Sequence, residues 1–356
     1  MNKTRKLISL LPENTDCAVI TSEDNRNFFL SFAASNGTLI ATKKGAFFYT
    51  DSRYITAAKQ SIKDAEVRLQ TKSFYDTLNG FFEEEGIKTA SFEAKHTTIE
   101  EYAFFKKEIK GVEFDFSGDI DNLILKIRRK KSADEIEKIK AAQAITDDCF
   151  SHMCSFIKEG MTEKEIQLEL DFYLLSHGAD ALSFETIVVS GENSAKPHGV
   201  AGSRQVRKGD FITMDFGAVV DFYHSDMTRT VALGFASEKM KKVYNTVLEA
   251  QEAGIEAAVD GARCSAVDKA ARDVIEKAGF GKYFGHALGH GVGVEIHENP
   301  CFAPKSEEVF EQGDVVTVEP GIYIPDQFGV RIEDMVVNLG DETLNLTHSP
   351  KNLIVL

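Results

Sequence analysis

The spacing of apolar positions changes several times along this chain, and each change marks an element. The run "TLIATKKGAFFYTDSRY" (38–54) is β-like, whereas "FYDTLNGFFEEEG" (74–86) has the spacing of an amphipathic helix. Strand-like and helix-like runs go on exchanging up to about residue 123, which predicts a small mixed α/β domain. The composition then shifts at "LKIRRKKSADEIEKIKAAQAI". Its basic run has the look of a linker, and Ser132 with Glu135 forms a capping box that opens a long helix. Ile136, Ile139, Ala142 and Ile145 recur at three- and four-residue steps, a stripe facing a core. The boundary falls in 123–132, giving an N-terminal domain of residues 1–125 and a larger domain of residues 126–356.

The larger domain contains an internal repeat. "GMTEKEIQLELDFYLLSHGA" (160–179) is matched by "GARCSAVDKAARDVIEKAGF" (261–280): a glycine, a helix of similar length, and a glycine at the helix end. "GDFITMDFG" (209–217) is matched by "GDVVTVEPG" (313–321), with Thr213 on Thr317, Asp215 on Glu319 and Gly217 on Gly321. From Gly160 to Gly261 is 101 positions and from Gly209 to Gly313 is 104, so one small insertion relates the copies. Such a repeat predicts two related α/β halves about a pseudo-two-fold axis, each offering an acid at the same place on a strand. Two facing carboxylates in a core repel unless they are protonated or bridged by cations.

Composition narrows the function classes. At 43% hydrophobic and 27% charged residues the chain reads as globular, and its net charge of −15 argues against a nucleic-acid surface. The apolar run near the N-terminus stops at Pro12, too short for a secretory signal, and no later stretch approaches a membrane span. Five cysteines without paired spacing predict no disulfide framework. A cytoplasmic protein is expected.

Each copy of the repeat adds a second acid: Asp226 follows Asp215 in "SDMTRT", and Glu333 follows Glu319 in "GVRIED". "FGHALGHGVGVEIHENP" contributes His286, His290 and His297, and "NSAKPHGV" contributes His198. Carboxylates with neutral imidazoles select Mn²⁺, Co²⁺, Zn²⁺ or Fe²⁺, and four acids with one or two histidines suit two ions better than one. Each residue alone has a plainer reading. Asp215 is a bulge or edge residue, His290 and His198 are turn residues, and Asp226 and Glu333 form ion pairs with Arg229 and Arg331. The coincidence of two acids in register, each copy adding another, favours metal.

"MDFGAVVDFYHSDMTRT", "GHGVGVEIHE", "VEPGIY" and "GVRIED" closely resemble the pita-bread metallopeptidases, the prolidase and aminopeptidase P group. "SFETIVVSGENSAKPHG" and the entry helix "KSADEIEKIKAA" fit as well, and "SNGTLIATKKGAFFYTDSRY" resembles the creatinase-like N-terminal domain. The resemblance implies a pita-bread catalytic domain after that smaller domain, and hydrolysis of the bond between an N-terminal residue and a following proline. It implies two divalent ions per chain, Mn²⁺ first, then Co²⁺, Zn²⁺ or Fe²⁺, with short proline-containing peptides as partners and a homodimer.

By the same resemblance Asp215, Asp226, His290, Glu319 and Glu333 are the five metal ligands, Asp226 and Glu333 bridging. A metal-bridging hydroxide would attack the scissile carbonyl and Glu319 would relay its proton. His198 and His297 would steady the substrate carbonyl and the tetrahedral intermediate. His286 would position the substrate, Arg331 would support the last ligand, and Phe184 would line the pocket or the core. Cys301 stands where many dipeptidases of the group carry an arginine, so the choice between dipeptides and longer peptides stays open. The other readings are a same-fold aminopeptidase without proline specificity, and a non-catalytic pita-bread binding module. Such modules usually lack the ligands that this chain keeps.

Overall fold

The first β-like run is a hairpin in which Thr38–Thr42 pairs antiparallel with Gly45–Thr50, Ile40 opposite Phe47. Cys17–Ile20 lies on its inner side, and the six-stranded mixed sheet is completed by Glu66–Leu69 at one edge and by Thr89–Phe92 and Glu113–Asp115 at the other. Alternate residues of these strands share a face. Cys17, Val19, Ile40, Phe47 and Tyr49 thus meet Leu78, Phe81 and Phe82 of the helix Phe74–Glu85 and Phe105 of the helix Ile99–Glu108. The Ser73 side chain caps the first of these helices, and Gly86 ends it at φ 69°. The computed structural model describes residues 2–356, and the chain divides into two compact units, one ending at Arg128 and one beginning at Arg129.

The division between the units falls within the basic run, but the run is not a solvated coil. Asp119–Arg129 is a helix, and the charges that follow it have partners far along the chain. Arg129 pairs with Asp314 at 2.7 Å, and Lys131 pairs with Glu298 at 2.9 Å with both side chains buried. A cluster of cations reads as solvated only while the acids that neutralise it are out of view, and here they lie more than 160 residues away. The Ser132 capping box is present, both reciprocal bonds made, and the helix it opens runs from Ala133 to Phe156.

The second unit bears out the repeat. Its 14-residue helices Glu163–Ser176 and Cys264–Lys277 correspond, and so do their strands. In the first half Phe211–Phe216 lies between Ile187–Ser190 and Met227–Ala232, all antiparallel. In the second half Val315–Val318 lies between Gly289–Gly291 and Asp334–Asn338, again antiparallel. Each half has its own apolar core against its own helices, around Phe150, Leu170 and Met214 in one and Val247, Val267 and Val318 in the other. Gly217 follows from close packing: a Cβ there would stand 2.0 Å from the Ser225 carbonyl oxygen.

Arg229 joins the halves. It is 1% exposed, donates to Asp334 at 2.7 Å, and also bonds the carbonyls of Glu333 and Ser349. Arg229→Ala leaves Asp334 buried with one cation fewer, and stability is expected to fall by about 3–5 kcal/mol. Urea unfolding checks this, as a lowered midpoint at unchanged slope.

Candidate metal centre

Four carboxylates arrive from corresponding places in the two halves. Asp215 sits near the end of Phe211–Phe216, and Glu319 just past Val315–Val318. Asp226 immediately precedes Met227–Ala232, and Glu333 immediately precedes Asp334–Asn338. His290 comes from Gly289–Gly291, the strand beside Val315–Val318. Gly289 lets that strand close in, since a Cβ would stand 1.8 Å from the Thr317 carbonyl oxygen.

The donors converge. Ligand atoms of Asp226, His290 and Glu333 lie within 4.8 Å of one another. His290 Nε2 is 3.4 Å from Asp226 Oδ2 and 3.4 Å from Glu319 Oε1. Nδ1 of that ring faces the Gly291 carbonyl oxygen at 3.1 Å, and a carbonyl only accepts, so Nδ1 carries the proton. The Nε2 lone pair then points at two carboxylates, a repulsive arrangement unless a proton or a cation lies between them. Asp215 accepts from Arg331 through Oδ2 at 2.6 Å, while its Oδ1 is buried without a hydrogen-bond partner among the described residues. Glu333 Oε2 receives the Thr228 hydroxyl at 2.6 Å, and Glu319 Oε1 receives that of Thr317 at 3.2 Å.

The electrostatics show the same strain. Burial, then Asp215 and Glu319, holds the Asp226 carboxyl well above the usual carboxylate range. Burial, then Asp226 and Glu319, does so for Glu333. Burial pushes Glu319 up to about 7, with the neighbouring Arg331 opposing. His290 is pulled below the ordinary histidine value by burial, which suits a neutral ligand. An orphaned carboxylate oxygen, a lone pair aimed at acids, and buried acids crowded together are the features that divalent cations would relieve. The donor set fits them.

The donors line one cavity of about 480 Å³, together with Phe184, His198, His286, His297, Cys301 and Arg331. The His297 ring packs 4.3 Å from that of His290, edge to face. His286 is more engaged than its sequence suggests. Nδ1 donates to the Ala287 carbonyl at 2.8 Å, so Nε2 accepts from the Tyr323 hydroxyl at 3.0 Å. Arg331 in turn donates to that hydroxyl at 2.9 Å, to the Thr228 hydroxyl and to the Pro197 carbonyl, besides Asp215. Tyr323 closes the "VEPGIY" motif and Thr228 lies within "SDMTRT", but the sequence assigns neither a role, because neither side chain is of a metal-ligand type. The ion pairs weighed as an alternative to metal are made otherwise: Arg229 pairs with Asp334, not Asp226, and Arg331 with Asp215, not Glu333.

Two family models cover most of the chain. Residues 137–338 match metallopeptidase family M24, and residues 5–129 match the creatinase/prolidase N-terminal domain. The chain belongs to metallopeptidase family M24. It is therefore a peptide hydrolase with the pita-bread fold behind a creatinase-like domain, as its motifs imply, and membership brings divalent metal ions with it. Solved structures similar to it include an Xaa-Pro dipeptidase from Bacillus anthracis, 40% identical with a TM-score of 0.95 over 99% of both chains. An X-Pro aminopeptidase from Thermotoga maritima is 35% identical, with a TM-score of 0.93 over 100% of both chains. An Xaa-Pro dipeptidase of Pyrococcus horikoshii is 35% identical over 99% of this chain and 98% of its own length.

Burial pulls the His286 pKa from 6.5 to about 4 in the folded chain. The neutral ring therefore contributes stability that is complete above pH 6.5 and lost as pH falls from there towards about 4. Ring-proton NMR is expected to show His286 untitrated between pH 7 and pH 5.

Proposed function

We propose that this metallopeptidase hydrolyses the bond between an N-terminal residue and a following proline in short peptides, using two divalent ions, Mn²⁺ in the first place. The observation that carries this reading is the convergence of Asp215, Asp226, His290, Glu319 and Glu333 in one cavity, with Asp215 Oδ1 orphaned. The names of the solved relatives, an Xaa-Pro dipeptidase and an X-Pro aminopeptidase, support the substrate. Proline suits such a site: its nitrogen carries no N–H and its φ is fixed, so a peptidase that grips N–H groups along a strand has little to hold.

In this reading Asp215, Asp226, His290, Glu319 and Glu333 would hold the ions. When bound, the ions supply Lewis acidity and lower the pKa of a coordinated water. Glu319 moves a proton towards the leaving nitrogen, its other oxygen steadied by Thr317. His198 and His297, on the cavity wall, donate to the scissile carbonyl oxygen as its charge grows. Phe184 gives that wall an apolar patch. The Arg331 guanidinium donates four hydrogen bonds within the protein and acts by holding Asp215, not by binding peptide. His286, with both ring nitrogens bonded, acts through Tyr323.

The chain's five free cysteines accord with a reducing, cytoplasmic setting. We extend the reading to a homodimer. Among the described residues no helix is long and apolar enough to cross a membrane.

Hydrolysis of a Xaa-Pro dipeptide, a Xaa-Pro-Xaa tripeptide and their alanine counterparts tests the reading on chelator-stripped protein before and after Mn²⁺. Cleavage restricted to proline peptides and dependent on Mn²⁺ is expected, and equal cleavage of the alanine peptides contradicts it. Asp226→Asn is expected to lower kcat by more than the roughly 10- to 100-fold typical of losing an outer partner of a ligand. Unchanged circular dichroism would show the fold intact.

A further inference from the structure

The loop between His290 and His297 brings two cavity histidines together, and its shape depends on the next residue, Glu298. The Glu298 carboxylate turns back under the loop. Oε1 accepts the backbone N–H groups of Val294 at 3.0 Å and Glu295 at 3.2 Å, and Oε2 receives Lys131 Nζ at 2.9 Å. The two side chains are 3% and 1% exposed. Gly293 sits so close that a Cβ there would stand 2.4 Å from Oε2. Glu298 also pairs with Gly291 across the sheet, next to the register shift between His290 and Gly291. Glu298 thus holds the middle of the loop through its carboxylate and the start of it through its backbone, and His297 is its neighbour in the chain.

An ion pair this deeply buried is a poor device for stability alone. Desolvation offsets most of its attraction, and an apolar pair of similar volume does as well or better. What the charged pair supplies is direction: three N–H donors aimed at two oxygens admit one loop geometry. That geometry holds the His297 ring 4.3 Å from the ring of His290 and within the cavity.

We propose that Glu298, anchored by Lys131, is a positioning residue that fixes the His297 imidazole for the reaction. The proposal rests on the reading above, in which His297 meets the substrate carbonyl. Glu298 touches no substrate itself. Its carboxylate sets the loop, the loop sets the ring, and a displaced ring loses its bond to the reacting oxygen.

A double-mutant cycle on the Mn²⁺-loaded enzyme with a Xaa-Pro-Xaa tripeptide tests this. Glu298→Gln keeps an acceptor for the two N–H groups and releases Lys131. Alone it is expected to lower kcat by about 10- to 100-fold with KM changed less than roughly threefold. In a His297→Ala background the same change is expected to cost less than about twofold, because no ring remains to be positioned. Equal losses in both backgrounds, or a single variant within about twofold of the wild type, overturn the proposal. If the unpaired lysine prevents folding, Lys131→Met with Glu298→Gln removes both charges and carries the same cycle with the same two outcomes. A His297→Ala enzyme with unchanged kcat overturns the role of His297, and the proposal with it. Proline-specific, Mn²⁺-dependent cleavage by the wild type would still stand, so the two failures are told apart.

Discussion

Mutual repulsion of four carboxylates is the constraint on which the second unit is built. Two like charges 4 Å apart repel by about 4 kcal/mol at an effective dielectric of about 20, and here Asp226 and Glu333 are almost wholly shielded from water. Left alone, such a cluster binds protons. Burial first, and that repulsion second to it, raise the pKa values of Asp226, Glu319 and Glu333. In the proposed reading, divalent cations would relieve it by other means and give the centre its chemistry.

The scaffold keeps the acids in place against that pressure. Each acid lies at or near the end of a paired strand, where the ladder fixes the backbone, and the internal repeat supplies the arrangement twice. Two buried arginines do much of the tethering. Arg331 holds one oxygen of Asp215 and reaches Thr228 and Tyr323, while Arg229 ties the strand after Asp226 to the one after Glu333. The site is a crossing of two similar halves, stitched by Arg229 and Arg331.

The acids were legible in the sequence because they recur: Asp215 with Glu319, and Asp226 with Glu333, stand at matching places in two copies of one pattern. The helices were legible from caps and periodicity, as at Ser132. The arginine pairings were not, because sequence proximity misleads inside a strand. Alternation puts Thr228 and Thr230 towards Glu333 and Arg331, so Arg229, between them, faces the other way and meets Asp334. The partners of the basic run were hidden for a related reason: Asp314 and Glu298 complete Arg129 and Lys131 from the far end of the chain. Tyr323 carries no spacing signal at all, and only the fold brings its hydroxyl between His286 and Arg331.

The most direct test of this account is thermal unfolding of the wild type and Asp226→Asn, each stripped of metal and each with saturating Mn²⁺. If repulsion in the cluster is what the cations relieve, removing one carboxylate leaves the stripped protein as stable as the wild type or more so. Mn²⁺ then raises the Tm of the wild type strongly and that of the variant little. A stripped variant much less stable than stripped wild type, with an equal rise on adding Mn²⁺, would contradict it.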